Sequence, residues 1–357
     1  MTRKTLPPPT LNNLVPVSVR HRYFENFADH PFQPSDTTFS LVKAWWLAEA
    51  SLLVYGDEWF VRQRLIDSSL VEAMGLSVRF FQGEARGTQC LVVDNDCFAI
   101  VVFRGTRIES FPDPILNLKL RLLHKVDLAT DVDFRLAPGT HVHAGFHRSL
   151  DEVWSGLHEY LKAIEGAGEE GGQTKTFWFT GHSLGAALAT LAADRFGAGK
   201  VGGLYTFGSP RVGDDVFKAS FATPCYRFVN NTDVVPHLPP PGLLANYTHV
   251  GALKFIDSAG RIVSDPTKFN VIDSNIRGHF QSLKAGWNTF NPSSLKKTGQ
   301  MIRDVVSQRE FSTLGEKLES LNLDFIPLAA LADHSPIYYT LRIWNALQPD
   351  ELPVASS

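Results

Sequence analysis

The sequence predicts an α/β fold, a mostly parallel central sheet flanked by helices, and three observations carry that reading. Strand-like apolar runs alternate with helical patterns along most of the 357 residues. The run Phe98-Ala99-Ile100-Val101-Val102-Phe103 is apolar at every position, as in a strand covered on both faces. A second apolar run, Thr176 to Phe179, leads through Gly181-His182-Ser183-Leu184-Gly185 into alanines and leucines. That is a strand, a tight turn with a serine at its apex, and a helix of small residues suited to close packing on a sheet.

Residues 1–38 are Pro-rich and read as an irregular extension, with Phe24, Phe27 and Phe32 available to pin it down. The spacing of Val42, Trp45, Trp46, Leu52 and Leu53 predicts a helix from Phe39 to Tyr55, closed by Gly56. A second helix is expected over Glu58–Met74, stopped by Gly75. Leu76–Phe81, Thr88–Asp94 and Cys97–Phe103 then read as strands, with a turn at Asp94-Asn95-Asp96. From about 107 to 126 lies an amphipathic segment with more apolar residues than a solvated connection needs; Phe111, Ile115, Leu116, Leu118 and Leu122 are among them. Asp131–Leu136 reads as a strand, His143–Ala163 as a helix, and Gly166–Gly172 as a loop. After the serine turn, Val201–Phe207 and Tyr226–Val229 are predicted strands, and Tyr247–Val263 further strands with a hairpin near Ser258-Ala259-Gly260. Residues from about 290 to 325 carry a charged helical pattern that reads as an insertion. Pro327–Leu347 is helical in part, and 348–357 is a tail. No linker or repeat divides the chain, so 39–347 reads as one domain.

The composition supports a sizeable core, with 44% hydrophobic residues. The formal net charge of −3 argues against a nucleic-acid surface. Cys90, Cys97 and Cys225 cannot all pair and read as reduced thiols, without zinc spacing. Met1 to Pro9 is basic but runs into prolines, so no signal peptide is expected, and no stretch reaches transmembrane length. The expected location is therefore cytoplasmic, or secreted without a recognisable signal. Asp127, Asp131 and Asp133 have no calcium-loop spacing. No metal or organic cofactor is called for.

A serine needs an imidazole to take its proton and a carboxylate to orient that imidazole. On a strand–serine–helix turn the expected chain order is Ser, then Asp, then His. Asp233 follows the strand at Tyr226–Val229 and is the best acid; Asp214, Asp215 and Asp257 compete. His237, His249, His279 and His334 are the candidate bases, and order favours His334. An oxyanion needs two aligned donors. The Leu184 N–H follows the serine, and Thr106, after the strand at Phe98–Phe103, is placed to give the second.

Several segments together resemble the class 3 lipase family of α/β-hydrolases. They are Phe103-Arg104-Gly105-Thr106, Val142-His143-Ala144-Gly145-Phe146, Gly181–Ala186, Thr206–Gly213 and Tyr226–Pro236. Leu47–Tyr55 resembles the family's early helix, and Asp333-His334 with Tyr338 its terminal histidine motif. The resemblance implies an α/β-hydrolase fold with an amphipathic lid at 107–126. It implies Ser183 as nucleophile, Asp233 as acid, His334 as base, and Thr106 and Leu184 as oxyanion-hole residues. The usual tryptophan–acid pair after the Phe-Arg-Gly-Thr motif is missing; Glu109, Ser110 and Phe111 stand there. The implied activity is hydrolysis of lipid esters at an oil–water or membrane interface, triacylglycerol foremost. A phospholipase A1 or short-chain carboxylesterase is the alternative. A catalytically inactive lipid-binding or signalling protein is the alternative of another class.

Overall fold

A computed structural model describes residues 2–10, 13, 16–106, 134–137, 139–170, 175–239, 246–288 and 332–348. The chain enters helix α1 (Leu41–Leu53), whose Ser40 cap accepts from the N–H groups of Val42 and Lys43. The single helix expected over 58–74 is two, α2 (Glu58–Asp67) and α3 (Leu70–Met74). The break falls at a serine pair: the Ser68 hydroxyl donates to the Leu65 carbonyl, and Ser69 turns left-handed at φ 61°. Serine side chains compete for backbone groups in this way and so weaken a helix interior.

Strands β1 (Ser77–Gln82), β2 (Gln89–Asp94) and β3 (Phe98–Phe103) follow as an antiparallel meander. Beyond them, β4 (Phe134–Ala137) and β5 (Thr140–Val142) form a separate two-stranded ladder. Helix α4 (Ala144–Glu170) runs past the loop expected from Gly166. Its apolar stripe of Leu150, Val153, Leu157 and Leu161 is buried, and that anchorage offsets the roughly 1 kcal/mol cost of each helical glycine. Then come β6 (Thr176–His182), α5 (Leu184–Phe196), β7 (Val201–Phe207), α6 (Asp215–Ser220), β8 (Cys225–Asn230), β9 (Ala252–Ile256), β10 (Ile262–Val263), α7 (Thr267–Asn288) and α8 (Pro336–Leu347).

Among the described residues the main sheet has the order β1-β2-β3-β6-β7-β8-β9-β10. The pairs from β3 through β6, β7 and β8 to β9 are parallel. This is the mostly parallel sheet that the sequence predicts. Side chains of β3 divide between two cores. Phe98, Ile100 and Val102 join α1, α8 and the residues before α1, while Ala99, Val101 and Phe103 join α4 and α5. A strand buried on both faces has no polar side to show, which is why the run is unbroken. Phe24 and Phe32 are buried in the first core, Phe32 against Phe98 and Trp178.

Two further segments differ from the sequence expectation. Tyr247–Val250 is not a strand and makes only a bridge, Gly213 to Thr248. Helix α7 has no counterpart in the sequence reading. Its inward stripe is Phe269, Asp273 and Ile276, and the aspartate in the middle breaks the apolar signature. Asp273 is buried there because it pairs with Arg211 and His237.

The turn between β6 and α5 depends on two backbones in contact. A methyl group on Gly185 would lie 2.0 Å from the Phe103 carbonyl oxygen, and one on Gly181 would lie 2.4 Å from Gly185. Replacing Gly185 by Ala is therefore expected to destabilise the protein by about 3 kcal/mol, the upper part of the usual overpacking range. Urea unfolding monitored by tryptophan fluorescence measures it; an unchanged midpoint would show that the strand and turn separate easily.

Candidate active site

Ser183 sits at φ 58°, ψ −127°, a conformation that costs a non-glycine residue about 1–3 kcal/mol. The turn is held by the Ser183 N–H donating to the Phe207 carbonyl at 2.9 Å and the Ala186 N–H donating to the Ser183 carbonyl at 3.0 Å. Its side chain stands at the C-terminal ends of the parallel strands and at the start of α5, where the helix field favours negative charge.

The structure brings Ser183, His334 and Asp233 together. The Ser183 Oγ lies 2.9 Å from His334 Nε2, and His334 Nδ1 lies 2.9 and 3.0 Å from the two Asp233 oxygens. All three are buried, Asp233 completely. An ionised carboxylate only accepts, so the Nδ1–H of His334 donates to Asp233. That leaves the Nε2 lone pair facing the serine hydroxyl, the tautomer a general base requires. The acid stands just beyond β8, on a turn where the Asp233 N–H donates to the Asn230 carbonyl at 2.8 Å.

Three further residues shape the site without having been singled out in the sequence. Tyr339, on α8, donates its hydroxyl to Asp233 Oδ2 at 2.6 Å and accepts from the Asn230 N–H at 3.0 Å. Burial and the adjacent Asp233 push its phenol far above the usual range, so it stays a donor. The motif resemblance had pointed instead to Tyr338, whose hydroxyl goes to the Pro7 carbonyl at 2.6 Å. His182 links both sides of the site. Its Nε2 lies 2.6 Å from the His334 carbonyl, and its Nδ1 2.8 Å from the Tyr55 hydroxyl. A carbonyl only accepts, so Nε2 carries the proton and Nδ1 takes one from Tyr55. Burial, then the neighbouring His334, holds the His182 pKa well below its ordinary value, so the ring stays neutral. Gly208, at φ 60°, leaves room for the acid–base contact: a methyl group there would lie 2.9 Å from Asp233 Oδ2 and 3.0 Å from His334 Nδ1.

Thr106 leaves β3 beside this turn, since Phe103 pairs with Gly181 in the parallel ladder. Gly105 is pressed close, because a methyl group there would lie 2.8 Å from the His182 carbonyl oxygen. Leu184 opens α5 directly after the serine. The lid candidates Phe111, Ile115, Leu116, Leu118 and Leu122 lie outside the described residues, as do the aspartates at 127, 131 and 133 and the 290–325 segment.

The competing residues are engaged elsewhere. His237 pairs with Asp273 at 3.1 Å and stacks on Phe269, and His249 meets the Pro236 carbonyl at 2.6 Å rather than sitting in a strand. Asp214 caps α6 through the Phe217 N–H, with Asp215 the first residue of that helix. Asp257 holds Arg261 across the β9–β10 turn. The His279 side chain lies outside the described ones. Cys90, Cys97 and Cys225 form no disulfide with one another. Among the described residues no cluster of His, Cys, Asp or Glu could hold a metal, and no helix is long and apolar enough to cross a membrane.

Residues 100–243 match the family described as lipase (class 3). The secreted mono- and diacylglycerol lipase 1 of Fusarium solani is 39% identical over 127 residues, covering 34% of this chain and 36% of that protein. The lipase of Rhizomucor miehei is 36% identical over 167 residues, 44% of this chain and 41% of that one. The solved structure of lipase II from Rhizopus niveus aligns with a TM-score of 0.47 at 23% identity, over 61% of this chain and 81% of that one. The chain spans about a third of the length of the curated relatives it matches.

Replacing Tyr339 by Phe leaves both Asp233 Oδ2 and the Asn230 N–H short of a partner in a buried site. The expected cost is about 2 kcal/mol of stability, read from chemical denaturation. A variant as stable as the parent would mean that water or a neighbour replaces the hydroxyl.

Proposed function

We propose that this chain, whose residues 100–243 match the class 3 lipase family, hydrolyses carboxylic esters of lipids through an acyl-enzyme on Ser183. The reading is carried by one observation, the buried relay from Asp233 through His334 to the Ser183 hydroxyl on a strained strand-to-helix turn.

In this mechanism His334 Nε2 takes the Ser183 proton as Oγ attacks the ester carbonyl carbon. The carbonyl π electrons move to oxygen, and the N–H groups of Leu184 and Thr106 receive the oxyanion. The tetrahedral intermediate collapses, the C–O bond to the alcohol breaks, and the alkoxide takes the proton from His334. Water then gives its proton to the same nitrogen and attacks the acyl-serine; the acyl–Oγ bond breaks, Oγ takes the proton back from His334, and the fatty acid leaves with Ser183 restored. Asp233 stabilises the imidazolium in both halves and stays ionised. His182, being neutral, adds no charge to compete with it.

The similarity to the Fusarium solani protein, whose name gives mono- and diacylglycerol as its substrates, supports a glycerol-ester substrate class. Triacylglycerol and its partial glycerides are the proposed substrates here.

Replacing Ser183 by Ala is expected to abolish both turnover of a p-nitrophenyl acyl ester and labelling by a fluorophosphonate, while the melting curve is kept. Replacing Asp233 by Asn is expected to lower kcat by roughly 10⁴-fold, as loss of the tautomer-fixing carboxylate does elsewhere. Labelling that persists in the alanine variant overturns the nucleophile. A parent protein that neither labels nor hydrolyses any ester overturns the enzymatic reading in favour of a binding role. A panel of emulsified triglyceride, diglyceride, phosphatidylcholine and short-chain esters decides the substrate. Preference for the phospholipid makes the protein a phospholipase instead.

A further inference from the structure

His334 is 101 residues from its acid and 151 from its nucleophile, so something other than local chain geometry must hold the base in register. The residue before it makes the most extensive polar contact in this region. Asp333 Oδ2 accepts from the Thr232 hydroxyl at 2.7 Å, the Asn231 side-chain amide at 2.9 Å and the Thr232 N–H at 3.1 Å. The Asp333 main-chain oxygen accepts from the Asn230 side-chain amide at 2.8 Å. Its other carboxylate oxygen faces that same amide at 3.4 Å and Arg342 at 3.7 Å.

We propose that Asp333 is a positioning residue that clamps the turn carrying the acid to the segment carrying the base, and so sets the contact between Asp233 and His334. The inference rests on the hydrolase reading of Ser183, His334 and Asp233. Asp333 precedes the base by one residue, and Thr232 precedes the acid by one residue. Any slip between Asp333 and Thr232 is therefore passed to the Asp233–His334 hydrogen bond with little slack. The turn needs outside support, because Asn231 is held left-handed at φ 42°. The Asp333 carboxylate is also largely withdrawn from water: the residue is 5% exposed, and its donors are backbone, amide and hydroxyl groups of the protein, with the Arg342 guanidinium 3.7 Å away. Charge-assisted bonds of this kind are short, directional and stronger than neutral ones.

A role in alignment differs from a role in stability alone. Misplacing a catalytic group by about 1 Å can cost on the order of a hundred-fold in rate while leaving substrate binding intact. Replacing Asp333 by Ala is thus expected to lower kcat by about ten- to a hundred-fold with KM little changed. Asn at 333 keeps one oxygen for the Thr232 donors and is expected to recover most of that loss. The proton between His334 Nδ1 and Asp233, seen by NMR downfield of the amide envelope, should be present in the parent and the Asn variant and lost in the Ala variant. A folded Ala variant with parental kcat and an unshifted downfield proton overturns the proposal. If the Ala variant does not fold, Thr232→Val removes one donor and is expected to lower kcat by a smaller factor, again without moving KM. An unchanged kcat and downfield proton there also overturn it. If the parent hydrolyses no ester, the reading of the active site fails, and the downfield proton alone still decides whether Asp333 sets the acid–base contact.

Discussion

The structure depends on one close approach: the backbone of the β6–α5 turn against the end of β3. Gly181, Gly185 and the Phe103 carbonyl are nearer than any side chain would allow. That contact holds Ser183 in its positive-φ conformation, which the residue alone would not adopt. The strain is offset by the two-sided core. Sheet residues such as Val101, Phe103, Phe177 and Phe179 are buried beneath α5, and Trp178 is buried on the opposite face. At about 25 cal/mol per Å² of apolar surface, burying a few such side chains outweighs the cost of one strained residue.

Around that serine the polar groups form a chain with defined proton positions. Tyr55 donates to His182, and His182 donates to the His334 carbonyl. His334 donates to Asp233, which also accepts from Tyr339. Each acceptor-only group fixes the tautomer of the histidine before it. Burial then keeps these assignments in place, since an added charge would be costly in the dry interior. His334 is therefore oriented twice, by the carboxylate on its ring and by His182 on its backbone.

Much of this was legible in the sequence because the signals are local. β3 was visible as an unbroken apolar run, and the serine turn as glycines between a strand and a small-residue helix. Asp233 was visible as a carboxylate just after a strand. The missing pieces have long-range causes. Helix α7 hides behind Asp273, an aspartate in an apolar stripe whose burial makes sense only beside Arg211 and His237. Tyr339 was indistinguishable from its neighbour Tyr338, because only the fold decides which hydroxyl meets Asp233 and which meets Pro7. The break at Ser68-Ser69 turns on a serine hydroxyl choosing a backbone carbonyl, which helical periodicity does not report.

The segments outside the family match also bear on the site. Residues 2–7 lie along α8: the Lys4 N–H donates to Asn345, whose side-chain amide returns a bond to the Lys4 carbonyl, and Tyr338 reaches Pro7. The Lys4 ammonium stands over the Trp344 ring at 4.9 Å. Each such bond contributes only about 1 kcal/mol. Together they fix the helix from which Tyr339 reaches Asp233 and Arg342 reaches Asp333. The matched core, residues 100–243, holds Ser183 and Asp233. His334 and its supports come from α8 and the residues just before it, and those are held by a length of chain that precedes the core. The geometry at Ser183 is thus a property of contacts between the core and what surrounds it. A fragment limited to the matched residues lacks His334, the imidazole that meets the Ser183 hydroxyl.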